Sequence, residues 1–184
     1  LLYIIAVSRQ REGMLNGGVV GTQMSNLGLE HALQSLDIPF SRARVGDRYV
    51  REQLQQTGSS IGGESSGHII CLDRTSTGDG IVSALQVLAA MQRTGCTLHE
   101  LKAGMTKYPQ LMINVPVSSR VDLDSKPAVQ EAVTSAEKRL AGRGRVVLRP
   151  SGTELVVRVR VEGEDARQVE EEAGQLASVV AAAV

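Results

Sequence analysis

The chain has 184 residues, 42% hydrophobic and 22% charged, a balance that excludes disorder over most of its length. Twenty lysines and arginines against 20 aspartates and glutamates exclude the basic footprint of a nucleic-acid wrapper, and 2% aromatic residues are too few for a base-stacking platform. No apolar run approaches the roughly 18–20 residues that span a bilayer, and two cysteines without a CxxC pair, Cys71 and Cys96, are expected to be free thiols in a reducing cytoplasm.

Leu1 to Arg11 reads as the tail of a helix cut from something longer. Its apolar start, Leu1 to Val7, lacks the basic lead and the small-residue cleavage site of a signal peptide. Gly13, Asn16, Gly17 and Gly18 then break the chain. Val19 to Thr22 reads as a short buried strand. A helix should follow, capped by Ser25 or Asn26, because Leu29, Ala32, Leu33 and Leu36 form one stripe. Ser41 to Val45 is a second strand and Asp47 to Thr57 a second helix. Ser60 to Gly62 and His68 to Leu72 are strands flanking a glycine-rich loop. The stretch from Gly78 to Met91 is apolar nearly all round, which predicts a buried helix. Strands alternating with helices indicate an α/β/α layered domain with a mostly parallel sheet.

The pattern changes after Tyr108 and Pro109. Leu111 to Val117 reads as a strand, 128–141 as a helix, Arg145 to Leu148 and Glu154 to Val161 as two close strands. A last helix starts near Asp165, with Ala166, Val169, Ala173, Leu176, Val180 and Val184 on one stripe and Glu170, Glu171 and Glu172 mostly solvated. The order β-α-β-β-α predicts a small α+β domain with its helices on one face of an antiparallel sheet. The expected division is therefore 1–12, 13–108 and 109–184. Met24, Met91, Met105 and Met112 are expected in the core.

Three constellations carry chemistry. In Gly62-Gly63-Glu64-Ser65-Ser66-Gly67-His68, glycines let the backbone approach a ligand. The Glu64 carboxylate suits paired sugar hydroxyls, Ser66 donates or accepts, and His68 exchanges protons near neutral pH. A tight hairpin with solvated polar residues fits the same pattern. In Arg149-Pro150-Ser151-Gly152-Thr153-Glu154, successive hydroxyls and N–H groups can cradle one anion. Arg149 adds a planar fork matched to phosphate, and Arg158 on the next strand can join from the same side. A hairpin turn with a surface arginine is the alternative. Arg42, Arg44, Arg48 and Arg51 either surround an anionic substrate or form a solvated face. Asp79 is a helix-start residue. Asp73 and Asp79 supply too few oxygens for a metal, so no metal ligands are expected in this chain.

The 63–68 segment resembles the sugar-recognition loop of the α-D-phosphohexomutases, and 149–154 resembles their C-terminal phosphate-binding loop. Gly18-Val19-Val20-Gly21-Thr22-Gln23-Met24-Ser25-Asn26, Val45-Gly46-Asp47-Arg48-Tyr49-Val50 and Thr77-Gly78-Asp79-Gly80-Ile81-Val82 with Leu85 to Met91 are similar to the bacterial phosphoglucosamine mutase branch. The resemblance covers the whole chain and corresponds to the last helix of the family's second domain followed by its third and fourth domains. It implies a cytoplasmic isomerase that interconverts glucosamine 6-phosphate and glucosamine 1-phosphate through an enzyme phosphoserine and a bisphosphorylated sugar, feeding UDP-N-acetylglucosamine and peptidoglycan synthesis. On this resemblance Glu64 and Ser66 hold sugar hydroxyls. His68 sits near the transferring group, and Arg149, Ser151, Gly152 and Thr153, with Arg158, grip the phosphate that is not reacting. The phosphoserine loop and the Mg2+ ligands of the intact enzyme have no match here, so the 184 residues alone should be inactive. The implied partners are the hexosamine phosphate, the N-terminal half of the same enzyme and, for the intact enzyme, a second copy; no nucleic acid or membrane is implied. Leu155 stands where the family usually has proline, which loosens the φ restraint at the loop exit. A phosphomannomutase or phosphoglucomutase, or a non-catalytic phosphosugar-binding module, are the alternatives.

Overall fold

The computed structural model describes residues 1–152 and 154–184. They form two compact units, Leu1–Lys107 and Tyr108–Val184.

The first unit runs α1 (Leu2–Arg11), β1 (Val19–Thr22), α2 (Leu27–Gln34), β2 (Phe40–Ala43), α3 (Asp47–Thr57), β3 (Ile61–Gly63), β4 (Ile69–Cys71), α4 (Gly80–Thr94) and α5 (Leu98–Lys102). The sheet order is β2-β1-β3-β4. β1 runs parallel to β2 and β3, while β3 and β4 form an antiparallel hairpin. Strand period decides the layers, since successive side chains leave on opposite faces. Val19, Ile61, Ile69 and Cys71 join a core with α1, α2 and α4. Val20, Ala43 and Ile70 point the other way, onto Val50 and Leu54 of α3. This is the α/β/α layering expected from the alternation of elements.

Helix starts follow their side chains. Asn26 accepts from the Gly28 N–H at 3.0 Å, and Asp79 accepts from Ile81 and Val82 N–H at 2.8 and 2.9 Å. The short α5 escapes the apolar-stripe reading, although Thr97 and Glu100 at its start make a complete capping box. α1 places Leu2, Ile4 and Ile5 in the first core, and its buried Arg9 reaches Asp73 at 2.8 Å.

α4 corrects one expectation. Only Ser83, Val87 and Ala90 are buried, whereas Ile81, Leu85 and Leu88 are 75%, 57% and 56% exposed. A helix has one stripe to offer a sheet, and the inward stripe here is the one with the smaller side chains. Its apolar outer face is uncovered among the described residues.

The second unit runs β5 (Gln110–Pro116), α6 (Pro127–Leu140), β6 (Gly144–Pro150), β7 (Val156–Gly163) and α7 (Ala166–Ala183). Its sheet, in the order β5-β7-β6, is antiparallel throughout. Val115, Val146, Val157, Val159 and Val161 pack on Val129, Ala136 and Leu140 of α6 and on Val169, Ala173, Leu176 and Val180 of α7. Two expectations fail locally. Glu172 is buried, not solvated, because Arg139 of α6 clasps both its carboxylate oxygens at 2.6 Å. Met112 is 49% exposed, because it alternates with Leu111 and Ile113, which pack on the core.

Candidate functional site

The hairpin between β3 and β4 carries Glu64, Ser66 and His68. The Glu64 N–H donates to the His68 carbonyl at 2.9 Å and the Gly67 N–H to the Glu64 carbonyl at 3.1 Å. Gly67 sits at φ +96°, a conformation glycine takes without strain. Ser65 and Ser66 are thereby pushed into solvent, while Glu64 and His68 are half-buried.

Both half-buried side chains turn back toward the start of α3. Glu64 Oε1 accepts from the Gly46 N–H at 2.9 Å. His68 Nδ1 lies 3.0 Å from Asp47 Oδ1. On the far side of the imidazole stands Gly78, where a Cβ would fall 2.1 Å from Nε2. Gly46, Asp47 and Gly78 are supports that the sequence reading left out of the site. In the sequence Asp47 reads as a helix start and Gly78 as the beginning of the apolar stretch, and both, with Gly46, fall in segments that carry the family resemblance without a role of their own.

In the second unit the hairpin between β6 and β7 holds the other residues. The Ser151 N–H donates to the Val156 carbonyl at 2.9 Å, and Ser151 Oγ accepts from the Glu154 N–H at 3.3 Å. Gly152 is exposed, and Thr153 lies outside the described residues. Leu155 exposes its side chain and uses its carbonyl to accept from the Val117 N–H at 2.9 Å. Arg149 and Arg158 are direct cross-strand partners, so they share one face of the sheet. Like charges in that relation repel. Arg158 meets Glu154 at 2.8 Å, yet its Nε has no hydrogen-bond acceptor. Arg149 makes no ion pair among the described residues. The turn thus sets two guanidiniums beside the Ser151 hydroxyl, donor types that suit an oxyanion.

The four arginines between 42 and 51 do not form a comparable site. Arg42 is taken up by Glu30 and by the carbonyls of Thr22 and Ser25. Arg48 pairs with Glu52, and Arg44 stacks on the Tyr49 ring at 3.8 Å.

Elsewhere burial sets the electrostatics. It pulls the Arg160 guanidinium down, with Glu162 opposing and Arg145 adding to the shift. It pushes the free, buried Cys71 thiol up, and it raises the Tyr108 phenol, helped by the hydrogen bond to Glu164.

Asp47, Glu64 and His68 bring three ligand atoms within 4.8 Å of one another. They do not fit magnesium, which takes an octahedral oxygen set. One ligand is an imidazole, and Glu64 Oε1 is already occupied by a backbone N–H. A cavity of about 340 Å³ between α1, α4 and α5 and a groove of about 360 Å³ beside Val121 to Asp124 hold none of the candidate residues. No helix among the described residues is long and apolar enough to cross a membrane.

Comparison with known proteins agrees with this geometry. Residues 1–108 match the family model "Phosphoglucomutase/phosphomannomutase, alpha/beta/alpha domain III", and residues 112–179 match "Phosphoglucomutase/phosphomannomutase, C-terminal domain". The phosphoglucosamine mutase of Nitrosococcus oceani is 62% identical over 181 residues, covering 98% of this chain and 40% of the relative. That of Thioalkalivibrio sulfidiphilus is 63% identical over 182 residues, covering 97% and 40%. The chain thus spans about 40% of the length of the curated relatives it matches. The crystal structure of Aspergillus fumigatus N-acetylphosphoglucosamine mutase in complex with GlcNAc-6P and magnesium superposes with a TM-score of 0.81 at 23% identity, over 99% of this chain and 42% of that one. At that identity the likeness is one of fold.

Proposed function

The chain belongs to the phosphoglucomutase/phosphomannomutase family, and on that premise we propose that it is the substrate-recognising part of a phosphoglucosamine mutase. The observation that carries this reading is its identity of 62–63% to such enzymes over nearly all of its length. In the proposed reaction a phosphoserine outside this chain gives its phosphoryl group to a hydroxyl of glucosamine 6-phosphate. The bisphosphorylated sugar turns over in the site, and the serine takes back the other phosphoryl group, leaving glucosamine 1-phosphate.

The residues of this chain have two tasks in that cycle. Glu64, anchored at Oε1 by the Gly46 N–H, keeps its second oxygen for sugar hydroxyls, and the exposed Ser66 adds a hydroxyl. Such partners serve the sugar in either orientation, because vicinal hydroxyls present similar donors from both ends. Arg149, Arg158, Ser151 and Gly152 grip whichever phosphate is not reacting; Thr153 completes the proposed set. His68 stands at the transferring group as a proton carrier. Binding energy from the remote phosphate is thereby used to position the reacting end, the usual logic of phosphoryl transfer.

Sugar recognition belongs to 13–108 and phosphate recognition to 109–184, with 1–12 as the end of a preceding element. The proposed setting is the cytoplasm, and the proposed product feeds UDP-N-acetylglucosamine and cell-wall precursor synthesis. Magnesium, which would neutralise charge on the transferring phosphoryl group, would be held outside this chain.

An NMR titration of the chain with glucosamine 6-phosphate, glucose 6-phosphate and inorganic phosphate tests this. The reading expects the amides of Glu64, Ser66, Arg149, Ser151 and Gly152 to shift, most strongly with the amino sugar. A response limited to residues 149–152 and equal for all three ligands removes the sugar assignment. A stronger response to glucose 6-phosphate turns the reading toward a neutral-hexose mutase.

A further inference from the structure

Asp47 is the first residue of α3, and nothing in the reaction outlined above uses it. Its Oδ1 is closed to solvent and accepts no hydrogen bond among the described residues, although His68 Nδ1 stands only 3.0 Å from it. A buried carboxylate oxygen left without a donor is costly, and the Nδ1–H of His68 is the donor within reach. The opposite edge of the ring is confined as well. Nε2 and Cδ2 occupy the space that a side chain at position 78 would need, with a Cβ falling 2.1 and 2.2 Å from them. The backbone before Asp47 supports the same loop. Gly46 takes φ +127°, which few other residues adopt, and its N–H holds Glu64. One dipeptide therefore ties down both ends of the 64–68 loop.

We propose that Asp47 is a positioning residue for His68, holding the imidazole as its Nδ1–H tautomer so that Nε2 is the bare nitrogen offered to the substrate. This rests on the reading that His68 serves the transferring group. With Nδ1–H fixed against the carboxylate, Nε2 takes the proton of the sugar hydroxyl as its oxygen bonds to phosphorus and the bond from phosphorus to the serine oxygen breaks, the serine oxygen leaving. The imidazolium formed is paired with Asp47, and Nε2 returns the proton to the departing sugar oxygen when the serine takes back the other phosphoryl group and that sugar O–P bond breaks. Isolated neutral imidazole favours the Nε2–H form, which has no free lone pair at Nε2 to accept that proton. Asp47 acts only through the ring, so its removal should alter the tautomer and the chemical step and leave sugar binding alone.

The tautomer is read directly from the two-bond 1H–15N couplings of His68 in this chain, at a pH where the ring is neutral. The Nδ1–H pattern is expected in the wild type and in Asp47→Asn, whose amide oxygen still accepts. Asp47→Ala should give mostly Nε2–H, with amide shifts unchanged away from residues 46–49 and 64–68. In the full-length protein, Asp47→Ala should lower kcat by about 10–100-fold with KM nearly constant, less than the ~10²–10⁴ attached to a complete acid–base group. Asp47→Asn should recover most of that loss. In a His68→Ala background, Asp47→Ala should cost nothing more. A wild-type Nε2–H tautomer overturns the proposal whatever the kinetics, and so do independent, multiplying losses from the two substitutions. A His68→Ala enzyme of normal turnover with the Nδ1–H tautomer intact overturns the role given to His68 and leaves the Asp47 orientation standing.

Discussion

The outer face of the second unit's sheet carries two arginine pairs, one at each end of β7, and they are arranged oppositely. Near the end of the strand, Arg145 faces Glu162 across β6 and β7. Glu162 is fully buried, and it accepts from Arg145 at 2.7 Å and from Arg160 at 2.9 Å. Near the start, Arg149 faces Arg158, and among the described residues the carboxylate that meets the pair is the exposed Glu154, which reaches Arg158 alone. Each end has one glutamate for two guanidiniums. Placement separates them: a carboxylate set into the ladder pairs with both arginines, leaving only the buried Arg160 Nε without an acceptor, whereas one outside the ladder pairs with Arg158 alone and leaves Arg149 without an ion pair among the described residues. Charge counting alone would score the two ends equal.

The largest test removes the neutralised end. Glu162→Ala takes away the carboxylate that buried Arg160 and half-buried Arg145 share, and breaking such a buried pair costs about 3–5 kcal/mol. Urea denaturation of the second unit should show that loss. A change under about 1 kcal/mol would mean that the two ends do not differ in the way described. Arg149→Ala does the opposite. It should weaken phosphosugar binding by about 1–3 kcal/mol, roughly 5–150-fold in affinity. It should leave stability unchanged or slightly higher, because a like-charge pair is relieved. Unaltered KM and kcat in the full-length protein would remove Arg149 from the phosphate site.

The same contrast explains what the sequence makes legible. Element order, the capping residues and both loops are readable because they depend on local pattern: Asn26, Asp79 and Asp165 cap where they stand. What escapes is set by contacts distant in sequence. Asp47 meets His68 across 21 positions, and Gly78 is required only because a ring from another strand end fills its side-chain space. Glu172 looks solvated within its acidic run until Arg139, 33 positions away, is placed beside it. The nearly all-apolar composition of α4 says that it is hydrophobic, and cannot say which stripe the sheet covers. α5 was within reach, since Thr97 and Glu100 have capping-box spacing, but five residues are too few for a periodic signal.

Gly78→Ala carries the comparison to the first unit, where orientation rather than open charge would make the proposed site. The new methyl would collide with the far edge of the His68 ring. That half-exposed side chain can swing away, so stability should fall by no more than about 1–3 kcal/mol. Turnover should drop as in Asp47→Ala, while inorganic phosphate still perturbs the amides of Arg149, Ser151 and Gly152 as in the wild type. Loss of the phosphate response would show that the two loops are not separable in the way the two units suggest.

The smallest effect is the most selective. An exposed like-charge pair is screened by salt, since the Debye length falls from about 30 Å at 0.01 M to about 8 Å at 0.15 M. A buried, paired cluster is screened much less. Raising sodium chloride over that range should therefore stabilise the second unit by a few tenths of a kcal/mol, the scale of one cross-strand repulsion. The increment should vanish in Arg149→Gln, which keeps much of the side chain and removes the charge. Phosphate at equal ionic strength should add a further increment that grows with its concentration, as binding to the folded state requires. The same substitution should abolish it. If chloride and phosphate act alike, and equally on wild type and Arg149→Gln, then repulsion between Arg149 and Arg158 is already quenched within the protein. The open end of β7 would then hold no more free charge than the closed one.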